Sequence, residues 1–280
     1  MKKLTLFFTL FSAITYAQPK ITTNSTFGKI DYSQKNYELS NYNVIYSYKI
    51  VKNVKRPDKV KSGLALLQLG NSYNKFVDYS QIEKDSLFEK MSHLSTVNSD
   101  QFNEILAVGF KSTFKYQLIL DKEKNELTYA DNIYSNYFLY KEVLPKMVWK
   151  LDKETKQILN YSAKKATVKY AGRNWTAWYT EEIPLQYGPY KFSGLPGLIL
   201  EIYDDKEHYH FTVDGINQNP KQIYLSQGDK TPVEITKKEF MKAEKNHHEN
   251  TASIYSGNAV EANGKPMLLN ELPYNPIELE

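Results

Sequence analysis

The chain of 280 residues contains no cysteine. That excludes disulfides, thiol nucleophiles and thiolate metal sites. It also excludes a lipid anchor built on a cysteine that follows an export signal. Histidine is scarce, with five in the whole chain, so imidazole chemistry has few candidates. Beyond position 17 no apolar run approaches the roughly 20 residues that a membrane helix needs. An excess of one charge is missing too. The 36 basic residues face 32 acidic ones, a formal net charge of +4. Such a balance gives no electrostatic case for nucleic acid or an anionic membrane as partner. No glycine-rich phosphate loop occurs, and no β-α-β rhythm points to a doubly wound nucleotide fold.

What is present begins at the N-terminus. Lys2 and Lys3 form a short positive region, residues 4–14 are almost wholly apolar, and Thr15-Tyr16-Ala17 offers small residues where a signal peptidase reads. This pattern predicts a cleavable secretory signal over 1–17, cut after Ala17, with residues 18–280 as one mature domain. Loss of the two lysines lowers the formal charge to +2. The expected address is the periplasm, with secretion beyond an outer membrane as the alternative. Neither a membrane span nor a lipid anchor is expected. The 23 tyrosines and 13 phenylalanines suit half-buried pleated surfaces, so the composition leans to β-structure.

Periodicity fills in the elements. Residues 18–39 lack a pattern and read as an irregular lead-in. Strands are expected at 44–50, 64–69 and 74–78, with a loop at 53–62 around Pro57. Ser86-Leu87-Phe88-Glu89 has the form of a capping box, and Leu87, Met91 and Leu94 follow at helical spacing. Phe102, Ile105 and Leu106 suggest a second helix. Strands at 114–118 and 126–129 flank a charged turn at 121–125. A meander is expected next: strand 147–151, turn 152–155, strand 157–161, strand 166–170, turn 172–174 and strand 175–180. Thr236-Lys237-Lys238-Glu239 is another capping box, opening a helix to about His248.

The most specific stretch is 188–203. Gly188-Pro189 breaks what precedes it. In Gly194-Leu195-Pro196-Gly197, proline presets φ and Gly197 is expected to take φ > 0, a type II turn over 195–198. The apolar run that opens with Leu198-Ile199 then predicts a central strand, buried on both faces. Gly194-Leu195-Pro196-Gly197-Leu198-Ile199 resembles the name-giving motif of the GLPGLI family, exported proteins of Bacteroidetes. Trp149, Lys165-Ala166, 177–180, Ile183-Pro184, Gly188-Pro189 and the tail 275–279 are similar to that family's pattern, most densely over 147–203. The resemblance implies a Bacteroidetes-type envelope and no reaction. It also implies a cysteine near the position of Ala163, where this chain departs. The motif carries no ionisable side chain, so its first reading is structural.

Candidate chemistry is sparse. His208 and His210 lie two apart on an expected strand at 208–213, so both leave one face. With Asp204, Asp205 or Glu207 they could hold zinc. A solvated polar face is the plainer reading. His247 and His248 end the capped helix, where histidine favours the dipole, and His247 borders the core at helical spacing from Phe240 and Ala243. Ser193 lacks the flanking glycines of a nucleophile elbow, and Ser162 to Lys165 lacks the motifs that support a Ser-x-x-Lys pair. No catalytic residue is therefore assigned. Trp178, Tyr179, Tyr187 and Tyr190 could form an aromatic platform for an apolar, peptide or glycan ligand, or could simply fill the core.

The expected fold is α+β: a large curved antiparallel sheet with a few helices, open like the half-barrels of periplasmic lipoprotein carriers. The expected function is non-catalytic binding of an apolar ligand, a peptide or an envelope partner. The alternatives are a metal-assisted hydrolase using His208 and His210, and an interaction scaffold for an outer-membrane transporter.

Overall fold

The computed structural model describes residues 26–228, 231–251 and 272–279. The signal expected at 1–17 lies outside them. In chain order the elements are β1 (Thr26–Phe27), β2 (Ser33–Leu39), β3 (Tyr42–Val51), β4 (Val60–Leu69), β5 (Tyr73–Asp78), α1 (Tyr79–Ser92), β6 (Val97–Asn98), α2 (Ser99–Gly109), β7 (Gln117–Asp121) and β8 (Glu126–Ile133). There follow β9 (Asn136–Val143), β10 (Lys150–Ile158), β11 (Tyr161–Tyr170), β12 (Arg173–Thr180), β13 (Leu198–Asp204), β14 (Tyr209–Asn217), β15 (Gln222–Gly228), β16 (Val233–Glu234) and α3 (Lys237–Glu249).

Twelve strands form one open sheet in the order β10-β11-β12-β13-β14-β3-β4-β5-β7-β8-β9-β16. Every neighbouring pair is antiparallel except the short β16, which runs parallel to β9. Mostly sequential hairpins explain this, because a two-residue turn can join only antiparallel strands. β13 lies inside the sheet, and five of its seven residues are buried, as its apolar run predicts.

The sheet is strongly curved, and the segment 187–197 shows why. Its Phe192 ring packs 4.6 Å from Trp175 of β12, and its Tyr190 ring 5.6 Å from Tyr116, the residue just before β7. Those two strands stand six places apart in the sheet. In a flat sheet they would be about 29 Å apart. Only a sheet curled around the segment lets adjacent rings reach both. Tyr48, Phe76, Phe114 and Phe211 continue the same core. The other face is covered at one end by the β2–β15 pair, whose Ile223 and Leu225 pack on Ile119, Ala130, Tyr137 and Leu139. α1 and α2 pack together beside it around Met91, Val97 and Ile105.

Several local expectations are corrected. Residues 33–39 are not irregular, because β2 pairs with β15 far along the chain. Ser86 does not cap a helix. Asp78 does, accepting the Ser80 N–H at 3.0 Å, so Ser86 lies within α1. The turn expected at 152–155 is a bulge inside a continuous β10. Asp152 accepts the Glu154 N–H at 3.0 Å, which locally bends the strand, while pairing with β11 resumes at Thr155. The chain reverses only at Leu159, whose φ is 51°, so 157–161 is not a separate strand. β7 begins at Gln117, and the expected strand residues Phe114 and Tyr116 enter the core ahead of it. The other two helices follow their patterns. Asn98 and Gln101 form a capping box on α2, and Thr236 and Glu239 form one on α3.

Candidate functional site

The motif segment is built by close contact. Gly197 does not take a positive φ; the glycine that does is Gly194, at +87°. The expected type II turn is thus corrected. Gly197 is required for another reason: a Cβ there would stand 1.8 Å from the Thr180 carbonyl oxygen of β12. At Gly188 a Cβ would stand 2.7 Å from the Ile199 Cβ. Pro189, Leu195, Leu198 and Ile199 are buried, whereas Pro196 is exposed.

This packing carries Lys191 into the interior. Its ammonium is fully buried, 2.7 Å from Glu278 and 2.5 Å from Glu142. Glu278 also accepts the hydroxyls of Tyr170 at 2.6 Å and Tyr190 at 2.9 Å, and pairs with Lys237 at 2.6 Å. Burial alone would raise the Glu278 carboxyl. The Lys191 charge and the hydrogen bonds outweigh it and hold the group down to about 2. The rest of the tail is gripped as firmly. Buried Arg173 pairs with Asp204 at 2.8 Å and donates to Asn275 Oδ1 and the Pro276 carbonyl, each at 2.7 Å. Asn275 in turn donates to the Val51 carbonyl, and Tyr209 donates to the Asn275 carbonyl.

Between this tail, α3 and the inner face of the sheet lies a cavity of about 460 Å³. Tyr116, Tyr129, Tyr140, Tyr190, Tyr209 and Phe240 are among its rings. Phe240 reaches it because the capped α3 turns that face inward, 5.1 Å from the Tyr129 ring. One turn on, the same helix face brings Glu244 to the cavity, where it meets Asp131 of β8 and Lys52 after β3. Burial, reinforced by the Glu244 charge, pushes the Asp131 carboxyl up to about 7. Glu244 is raised by burial as well, against the pull of Lys52 and the Tyr274 hydroxyl. Lys52 is lowered by burial, opposed by both carboxylates. The Tyr116 hydroxyl is buried and finds no hydrogen-bond partner among the described residues. The site therefore presents aromatic faces together with hydrogen-bonding groups of both signs.

The expected site residues are dispersed. Of the aromatic four, only Tyr190 lines this cavity. Trp178 is buried, its ring 4.3 Å from the Lys156 ammonium. Tyr179 is buried in the pairing of β12 with β11 and β13. Tyr187 bridges to Ser193, with the Lys122 ammonium 5.5 Å from its ring. His208 and His210 have separate surroundings. His208 precedes β14 and sits 3.4 Å from an Arg173 nitrogen, and burial lowers its pKa. His210 bonds Glu201 at 2.9 Å and Glu207 at 3.1 Å, and the Glu201 bond, above all, raises its pKa. Among the described residues no group of three His, Asp or Glu side chains is placed to hold a metal ion. His247 and His248 do border the cavity. Sequence reasoning missed Asp131 and Glu244. The available signals were an acid inside an apolar strand and an acid four residues after Phe240 on an amphipathic helix.

No helix among the described residues is long and apolar enough to cross a membrane. A family model described as a protein of unknown function (Porph_ging) matches residues 169–201, from the end of β11 into β13. No curated protein matches the chain. Two solved structures of PNGF-II, in space groups C2 and P21, are similar at 14% and 13% identity, with TM-scores of 0.48 and 0.47. They cover 77% and 76% of this chain and 34% of their own. The chain thus spans about a third of the length of the structures it matches, and a short central stretch resembles a family without an assigned activity.

Proposed function

We propose that this chain is an exported envelope protein of the GLPGLI type, a non-catalytic binding module whose ligand occupies the tyrosine-lined cavity. The observation that carries the reading is the cavity itself, left inside a sheet whose concave face is otherwise filled by 187–197 and the tail. Its size suits a small-molecule site, and its mixture of rings with a few convergent polar groups is the usual character of one. The buried Tyr116 hydroxyl supports a ligand that can hydrogen-bond, since an unpaired buried polar group costs about 1–3 kcal/mol. A wholly apolar ligand would leave Asp131 and Glu244 uncompensated. Binding is preferred to a metal-assisted hydrolase because His208 and His210 are each engaged elsewhere.

The export half of the proposal rests on the charge, apolar run and small-residue site of 1–17. Mass analysis of the periplasmic fraction should give a mature chain beginning at Gln18. Native mass spectrometry of protein purified from an envelope should show a bound small molecule that denaturation releases and Tyr129→Ala lacks. An unliganded mass for the wild-type protein, unchanged in the variant, refutes the binding role.

A further inference from the structure

The tyrosine-lined cavity sorts its walls by depth. Tyr116, Tyr129, Tyr140, Tyr190 and Phe240 are all buried, and their rings form one continuous cluster. Between ring centroids, Tyr116 lies 5.3 Å from Tyr129 and 5.6 Å from Tyr190, and Tyr129 lies 4.7 Å from Tyr140 and 5.1 Å from Phe240. The charged groups run outward. Asp131 is buried, Lys52 and Glu244 are half-buried, and Lys115 is exposed. A floor of rings therefore opens into a mouth that carries both signs.

These charges do not neutralise one another. Lys52 is attracted by Glu244 and Asp131 and repelled by Lys115. Neither lysine forms an ion pair among the described residues. The two carboxylates also repel each other, and the Glu244 charge adds to burial in raising the Asp131 carboxyl. Glu244 accepts the Tyr274 hydroxyl at 3.4 Å and Asp131 accepts the Asn132 N–H at 2.6 Å, neither of them a cation. Two carboxylates and two ammonium groups thus surround one space without pairing across it. Desolvated charges of this kind weaken the empty protein, and a ligand that brings the opposite charges compensates them. The buried Tyr116 hydroxyl, without a partner among the described residues, lines the same space.

We infer that the cavity binds a free α-amino acid with a large apolar side chain, its ammonium at Asp131 and Glu244, its carboxylate at Lys52 and Lys115, and its side chain on the rings. This rests on the binding reading above and gives its ligand a class. An ammonium only donates and a carboxylate only accepts, so each end finds two partners of the right kind. A simple amine would leave Lys52 uncompensated, and a simple carboxylate would meet Asp131 and Glu244. A neutral sugar or a lipid chain would compensate none of the four. A dipeptide carries its two charges on separate residues, whereas these four groups act on one another at one mouth. The rings set the remaining requirement, since only a large apolar side chain covers them.

The test is calorimetric titration of the mature protein at pH 8 with L-phenylalanine, L-tryptophan and L-leucine. At least one should bind, and glycine should not. For the tightest of them, the matching amine lacks the carboxylate and the N-acetyl derivative lacks the ammonium. Each should bind about tenfold or more weaker than its parent. Asp131→Asn should weaken the amino acid and spare the N-acetyl derivative, and Lys52→Met should weaken the amino acid and spare the amine. Thermal midpoints check that both variants fold, and the analogues on the wild-type protein decide alone if one does not. An analogue that binds as tightly as its parent, or a variant that weakens parent and analogue alike, overturns the assignment. A phenylalanyl dipeptide that binds tighter than phenylalanine overturns the free amino acid. If none of these ligands binds but native mass spectrometry finds another, the amino-acid class fails and the cavity reading stands. If neither finds a ligand, both fail.

Discussion

The Lys191 ammonium and the Glu278 carboxylate lie 2.7 Å apart, and both are buried. They come from the two stretches most distinctive in the sequence, the Gly188–Gly197 segment and the C-terminal tail. The ion pair ties the tail across the open concavity and forms part of the cavity wall through Glu278. Lys191→Met should cost about 3–5 kcal/mol of stability, because it strands buried carboxylates. The double variant Lys191→Met/Glu278→Leu should cost less than the sum of the single ones. Urea unfolding of the four proteins at pH 7 measures this coupling, and strict additivity would contradict it.

The same contact sets an acid limit. The Glu278 carboxyl is held at about 2 in the folded protein, against about 4.3 in an unfolded chain. Its folded pKa is depressed, so its contribution is present above about pH 4.3 and lost as pH falls toward 2. The contribution is about 3 kcal/mol. Thermal midpoints between pH 5 and pH 2 should fall more steeply for the wild-type protein than for Glu278→Gln.

Two glycines of the motif should respond differently to alanine. Gly197→Ala forces a methyl group onto the Thr180 carbonyl oxygen, which is held rigidly in β12. About 3 kcal/mol or more is expected. Gly194→Ala meets no neighbour within 4 Å and bears only the cost of its φ of +87°, about 1–2 kcal/mol. Chemical denaturation should rank the two in that order.

Asp131 gives a dependence of opposite sign. Burial raises it from about 3.9 to about 7. Between those values the folded state binds more protons than the unfolded one, so stability falls as pH rises from about 4 to about 7 and then levels. Asp131→Asn removes the ionisation and can still accept the Asn132 N–H. It should be neutral at pH 4 and stabilising by about 2–4 kcal/mol at pH 8. Equal midpoints at pH 8 would show that the carboxyl ionises freely.

Elements whose determinants are local were legible. The capping box at Thr236 and Glu239 and the alternation in β3 each involve residues within one turn or one strand. The buried run of β13 likewise marked it as central. Reading failed where a distant partner decided. Asp152 to Thr155 has turn residues, yet pairing with β11 keeps β10 continuous. Ser86 has a capping pattern, yet Asp78 starts the helix earlier. His208 and His210 have ligand spacing, but their partners Arg173 and Glu201 lie on other strands.

The sequence by itself determined that the chain is β-rich, free of cysteine and of thiol chemistry, and marked by a glycine-proline segment next to a central strand. These follow from composition and from short-range periodicity. Only the tertiary structure decided what that segment does. Curvature of the sheet brings strands six places apart onto one pair of rings, carries Lys191 inward to the tail, and leaves a cavity between them. A buried charge and a cavity are properties of surfaces that meet across the whole chain. The spacing of residues along a strand cannot encode them.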